Sequence, residues 1–105
     1  MKTLKFRKGL DDLILSGEKT VTWRLFDDKD LQVGDKLTFL VRETLEEFAK
    51  AEIVHINEKK LGEITEEDYT GHERYKNHQD MLDHFKKYYG DQVGLDTVVK
   101  IIKFK

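Results

Sequence analysis

The sequence predicts an α+β domain, a small β-barrel of mostly antiparallel strands with short helices at its ends. Three observations predict it. Apolar residues alternate with polar ones in several short stretches, the period of a half-buried strand. Two other stretches carry apolar residues at helical spacing, and each closes on a glycine. The strand-like stretches also follow one another closely in mid-chain, which favours hairpins over the crossovers of a doubly wound sheet. At 105 residues the chain is a single domain, 1–105, able to bury a real core.

Lys2 to Phe6 places Leu4 and Phe6 on one face of a first strand. Lys8 to Ser16 switches period, with Leu10, Leu13 and Ile14 at helical spacing and Gly17 as the stop. Thr20 to Trp23 is a β-branched and aromatic run and reads as a second strand. A polar connection from Leu25 to Gln32 leads to the turn Val33-Gly34-Asp35 and a third strand, Lys36 to Arg42, with Leu37, Phe39 and Val41 on one face. Glu43 to Glu46 is a turn into a fourth strand, Phe48 to Asn57, making an antiparallel hairpin. Thr65 caps a short acidic helix ended by Gly71, and His72 to Lys76 is a polar loop. Asn77 caps a second helix to Tyr89, with Met81, Leu82, Phe85, Tyr88 and Tyr89 as its stripe and Gly90 as its stop. The apolar run from Asp96 to Phe104 suits a strand lying centrally in the sheet.

Composition excludes several function classes. There are 19 Lys and Arg against 21 Asp and Glu, so the chain is not built to coat nucleic acid non-specifically, although a local site for one nucleotide or a short strand remains open. The absence of cysteine removes disulfides, thiolate metal sites and a cysteine nucleophile. No apolar run reaches the length of a membrane span, so a soluble, cytoplasmic protein without a membrane or obvious protein partner is expected. The four histidines have no chelating spacing, and no metal or other cofactor is expected. Ser16, the sole serine, has no nucleophile elbow around it, and no glycine-rich phosphate loop is present.

What remains is Gly17-Glu18-Lys19-Thr20-Val21-Thr22-Trp23-Arg24. Strand alternation puts Thr20, Thr22 and Arg24 on one face, with Val21 and Trp23 on the other. The threonines read most simply as ordinary strand residues, and the two cations as its solvated ends. Alternatively Lys19 and Arg24 line an anion-binding pocket, and a lysine of lowered pKa activates a threonine hydroxyl. Aromatic side chains, among them Trp23 and Tyr75, could stack bases, while the acidic tract from Glu63 to Asp68 would repel phosphate.

Taken in order, five pieces resemble the ASCH family of PUA-like barrels. They are the Gly17–Arg24 stretch (G-x-K-T-x-x-x-R), Val33-Gly34-Asp35-Lys36-Leu37, Leu61 to Asp68, the helix ending Tyr88-Tyr89-Gly90, and the closing strand to Phe104. The resemblance implies a cleft between barrel and helices that accepts RNA or a modified nucleoside, with Thr20, Trp23, Arg24 and Tyr75 as binding residues. One branch is similar to small bacterial amidohydrolases that deacetylate N4-acetylcytidine, which implies a catalytic Lys19, Thr22 and glutamate. Counting back from Tyr88 matches that glutamate to Glu73; counting on from Thr65 lands one residue away. Trp23 stands where those enzymes carry a smaller aliphatic residue, and the loop around Tyr75 also departs from their pattern. Binding of RNA or a nucleoside is the first expectation and amide hydrolysis the alternative; nothing in the residues supports a nuclease.

Overall fold

In the computed structural model, which describes residues 2–105, nine short elements follow one another. They are β1 (Lys2–Phe6), α1 (Leu10–Leu15), β2 (Val21–Leu25), β3 (Lys36–Val41), β4 (Glu47–Lys60), single 3-10 turns at Leu61–Glu63 and Glu66–Tyr69, α2 (His78–Tyr89) and β5 (Val98–Phe104). The strands form one mixed sheet in the order β1-β3-β4-β5-β2, curled into a half-barrel. Among the described residues only β1 and β3 run parallel; every other pairing there is antiparallel.

The curl follows from β4. Its first half, Glu47 to Glu52, pairs with β3, and its second half, from Ile53 to Lys60, pairs with β5. A register shift between Ile53 and His55 separates the halves, and an extra residue there bends the strand and turns the sheet's corner. The hairpin expected from Lys36 to Asn57 is therefore present, with a longer second strand than the sequence pattern indicates.

β5 lies inside the sheet, as its continuous apolar run predicts, and buries both faces. Val99 and Ile101 join one core with Val21, Trp23, Leu25, Met81 and Phe85. Ile102 and Phe104 join the other with Leu4, Phe6, Leu37, Phe39 and Ile53. The first core seats α2 on the sheet; the second fills the barrel.

Local rules account for the ends. Asn77 accepts a hydrogen bond from the Asp80 N–H at 2.8 Å and starts α2. Gly90, at φ 93°, ends it. Met81 and Phe85 are buried, while Tyr88 at the edge of the expected stripe is 40% exposed. The acidic segment after Thr65 forms a 3-10 turn instead of a helix. Asp68 closes a capping box with Thr65 within one turn, and Gly71 at φ 80° then redirects the chain.

Candidate functional site

Gly17, at φ 86°, turns the chain out of α1. Lys19 follows with its backbone N–H on the Leu13 carbonyl at 3.0 Å, and its side chain folds inward until only 3% of it is exposed. Its ammonium donates to the Val21 carbonyl and to Glu73 Oε2, both at 2.8 Å. Because Val21 immediately precedes Thr22, the first bond holds the lysine beside the threonine's own stretch of backbone. Thr22 is 4% exposed. Its Oγ1 accepts from Arg24 Nε at 3.2 Å, two residues along the same strand face. The Arg24 guanidinium also donates to the Lys5 carbonyl at 3.1 Å and stacks on the Phe6 ring.

Glu73 reaches this strand from a loop that is fastened in place. The Gly71 carbonyl accepts from both the Thr20 and Val21 N–H groups, at 2.9 and 3.1 Å. A Cβ on Gly71 would lie 2.1 Å from Thr20 Oγ1, so the loop approaches β2 at a distance that only glycine permits. Next in line, the His72 ring stacks on Trp23 at 4.1 Å between centroids and 14° between planes. Its Nδ1 lies 2.7 Å from the Glu73 carbonyl; a ring nitrogen facing a carbonyl carries the proton.

Burial and mutual charge shift the acidity of these groups. Burial pulls the Lys19 pKa below its ordinary value; the charge and hydrogen bond of Glu73 oppose that, while Arg24 and Arg7 reinforce it. Burial works against ionised Glu73, yet His72 and Lys19 outweigh it and hold the carboxyl below its usual range. Burial first, then the Lys19 charge, bring His72 down to about 4, so it is neutral at pH 7. Burial likewise pushes the Tyr75 hydroxyl well above the usual tyrosine range.

These groups line one cavity of about 240 Å³. Lys19, Thr22, Trp23, Arg24, Glu73 and Tyr75 all border it. Thr20 is the exception among the residues singled out from sequence: its hydroxyl faces Gly71, and it does not border the cavity. Trp23 borders it as a core residue, 4% exposed, and its Nε1 is the one buried side-chain polar atom without a hydrogen-bond partner among the described residues. A hydrogen bond from Arg24 to Glu73, one role open to that arginine, is not formed; its donors go to Thr22 and Lys5. Sequence reasoning passed over His72, His84, Arg7 and Arg42, which also border the cavity. No group of metal ligands assembles among the described residues, and no helix there is long and apolar enough to cross a membrane.

The fold is that of the ASCH domain. No family model and no curated protein matches the sequence, and the likeness lies with solved structures. Protein EF3133 of Enterococcus faecalis V583, from family DUF984, superposes with a TM-score of 0.77 at 18% identity, over 91% of this chain and 68% of its own. An ASCH domain from Lactobacillus crispatus JV V101 gives 0.68 at 18% identity, over 90% and 68%. Hypothetical protein PH0355 gives 0.73 at 20% identity, over 100% of this chain and 98% of its own. At such identities the likeness is one of fold.

Proposed function

We propose that the cavity hydrolyses an acyl amide on the exocyclic amine of a nucleobase, with N4-acetylcytidine as the substrate. The observation that supports this best is the Lys19–Glu73 pair, closed across 54 positions of sequence at 2.8 Å, on the same cavity wall as Thr22. A buried lysine of lowered pKa, a carboxylate and a hydroxyl are the three parts that acyl transfer to a threonine requires.

Ligand entry expels water and makes the ion pair costlier, so the proton passes from Lys19 Nζ to Glu73 Oε2 and leaves a neutral amine and a carboxylic acid. Lys19 takes the Thr22 proton as Oγ1 bonds to the acetyl carbon. The carbonyl oxygen becomes an oxyanion beside Arg24, whose guanidinium already donates towards Thr22 in the resting site. The C–N bond then breaks, Glu73 protonates the departing amine, and acetyl-Thr22 remains with an ionised pair. Water attacks that ester and gives its proton to Glu73; Thr22 recovers its proton from Lys19, and acetic acid leaves. The proton on Glu73 then returns to Lys19.

The test is acetate release from N4-acetylcytidine, followed by proton NMR, in wild type, Lys19→Met and Glu73→Gln. Release by wild type that is lost in both variants supports the mechanism; no release, or release undiminished in Lys19→Met, overturns it. A second reading, ligand binding without chemistry, is favoured by the aromatic wall of Tyr75, His84 and Tyr88, whose rings follow one another at 5.0 and 5.1 Å and offer a stacking surface. Cytidine binding with no turnover would select it.

A further inference from the structure

The cavity is more cationic than hydrolysis of a neutral nucleoside requires. Five cations border it, Lys5, Arg7, Lys19, Arg24 and Arg42, against one carboxylate, Glu73. Lys19 balances Glu73, and Arg24 is tied to Thr22 and Lys5 inside the site. Of the remaining cations Lys5, Arg7 and Arg42 are exposed, and two of them, Arg7 and Arg42, stand side by side.

Their juxtaposition is set by the parallel ladder. The register of β1 and β3 ends with Phe6 beside Val41, and the Arg42 N–H donates to the Phe6 carbonyl at 2.8 Å. The next residues along, Arg7 and Arg42, thus leave neighbouring strands side by side. Like charges so placed repel each other. Neither has a carboxylate partner among the described residues. The adjacent acid, Glu43, accepts from the Lys8 N–H at 2.9 Å and forms no ion pair with either arginine. The Arg42 guanidinium lies 4.9 Å above the Tyr88 ring, which orients it without neutralising it. The Arg7 charge is felt at both Lys19 and His84, deeper in the cavity and on α2.

We propose that Arg7 and Arg42 form a phosphate subsite at the cavity mouth, so that a phosphorylated nucleoside is held more tightly than the free nucleoside. This rests on the reading of the cavity as a nucleobase site and adds a nucleotide, free or at a position in an RNA strand, as its preferred ligand. Paired guanidinium groups suit phosphate oxygens because each presents N–H donors in a planar fork. It also reassigns the phosphate-holding role from Lys19 and Arg24, which are engaged within the site, to two arginines outside the signature stretch.

The experiment is calorimetric binding of cytidine, cytidine 5′-monophosphate and a short cytidine-containing RNA, none of which carries the amide, so that turnover plays no part. The monophosphate or the RNA is expected to bind about tenfold tighter than cytidine, the factor that one net charge-assisted hydrogen bond supplies. That advantage should shrink with added salt. Arg7→Gln and Arg42→Gln should each reduce it, with folding verified by thermal melting. If only the monophosphate gains, the source is the free nucleotide; if the RNA gains as well, a strand is accommodated. Equal affinity for cytidine and both phosphorylated forms, or an advantage that survives in the double variant, overturns the subsite. Acetate release from the nucleoside with no such advantage leaves the hydrolytic reading standing alone; a phosphate advantage without acetate release does the reverse.

Discussion

The Lys19–Glu73 pair should reveal itself as an asymmetry in stability. Lys19 is 3% exposed and Glu73 24%, so the two partners differ in what they cost when left alone. Glu73→Gln keeps an oxygen for the lysine but removes the charge, stranding an ammonium in the interior. Removing one partner of a buried pair costs about 3–5 kcal/mol; because Glu73 is partly hydrated, about 2–3 kcal/mol is expected at pH 7. For a domain of this size that is a fall in Tm of about 10–15 °C. Lys19→Met leaves a carboxylate that water still reaches, and about 1 kcal/mol is expected. The pH dependence has a definite sign. A lysine whose folded pKa lies below its unfolded value of 10.5 releases its proton earlier in the folded state. Stability therefore rises with pH from the folded value up to the unfolded one. In Glu73→Gln the charge that raises the Lys19 pKa is gone, so the window widens and the deficit against wild type narrows as pH climbs from 7 towards 10. Urea melts at pH 7, 8.5 and 10 read this directly. A deficit that stays constant with pH, or a Lys19→Met protein less stable than Glu73→Gln, refutes the reasoning.

Gly71→Ala places a methyl group 2.1 Å from Thr20 Oγ1 at φ 80°, so the loop must lift; a loss of about 1–3 kcal/mol is expected, with any turnover falling further because Glu73 lies two residues on. A variant with wild-type melting and turnover would show that the loop is not fastened through Gly71. Trp23→Phe keeps a ring against His72 and removes the unpartnered Nε1–H. Lost packing and a removed desolvation penalty oppose each other, leaving a change of about 1 kcal/mol or less by chemical denaturation. A loss of 3 kcal/mol or more, on the order of a full core truncation, would mean that the indole nitrogen makes a contact the structure does not show.

The elements were legible where one rule governs them. Alternation fixed Leu4 and Phe6 in β1 and Leu37, Phe39 and Val41 in β3, and Asn77 and Gly90 bracketed α2. What stayed hidden depends on pairing at a distance. Nothing in the chain announces that β1 pairs in parallel with β3, because sequential strands read as hairpins, and so the adjacency of Arg7 and Arg42 could not be seen. His72 read as part of a polar loop because a histidine between glycine and glutamate gives no apolar pattern; its burial arises from stacking on Trp23. Trp23 itself looked like a base-stacking ring, whereas its neighbours Met81 and Phe85 place it in the core under α2. Residue type alone left Lys19 and Thr22 as ordinary strand residues; the resemblance of the Gly17–Arg24 stretch to the ASCH signature singled them out. The partner that holds the Lys19 ammonium inside, Glu73, is supplied from the far half of the chain.

The central claim is that the Thr22 hydroxyl, bordering the same cavity as a buried lysine–glutamate pair, takes an acyl group from an amide nitrogen. Acetate release from N4-acetylcytidine by Thr22→Val and Thr22→Ser tests it most directly, since valine keeps the shape without the hydroxyl and serine keeps the hydroxyl. The account predicts release by wild type and the serine protein, and a loss of about a thousandfold or more in the valine protein, the scale of removing a covalent nucleophile. Release by Thr22→Val at the wild-type rate, or none by wild type, would contradict it.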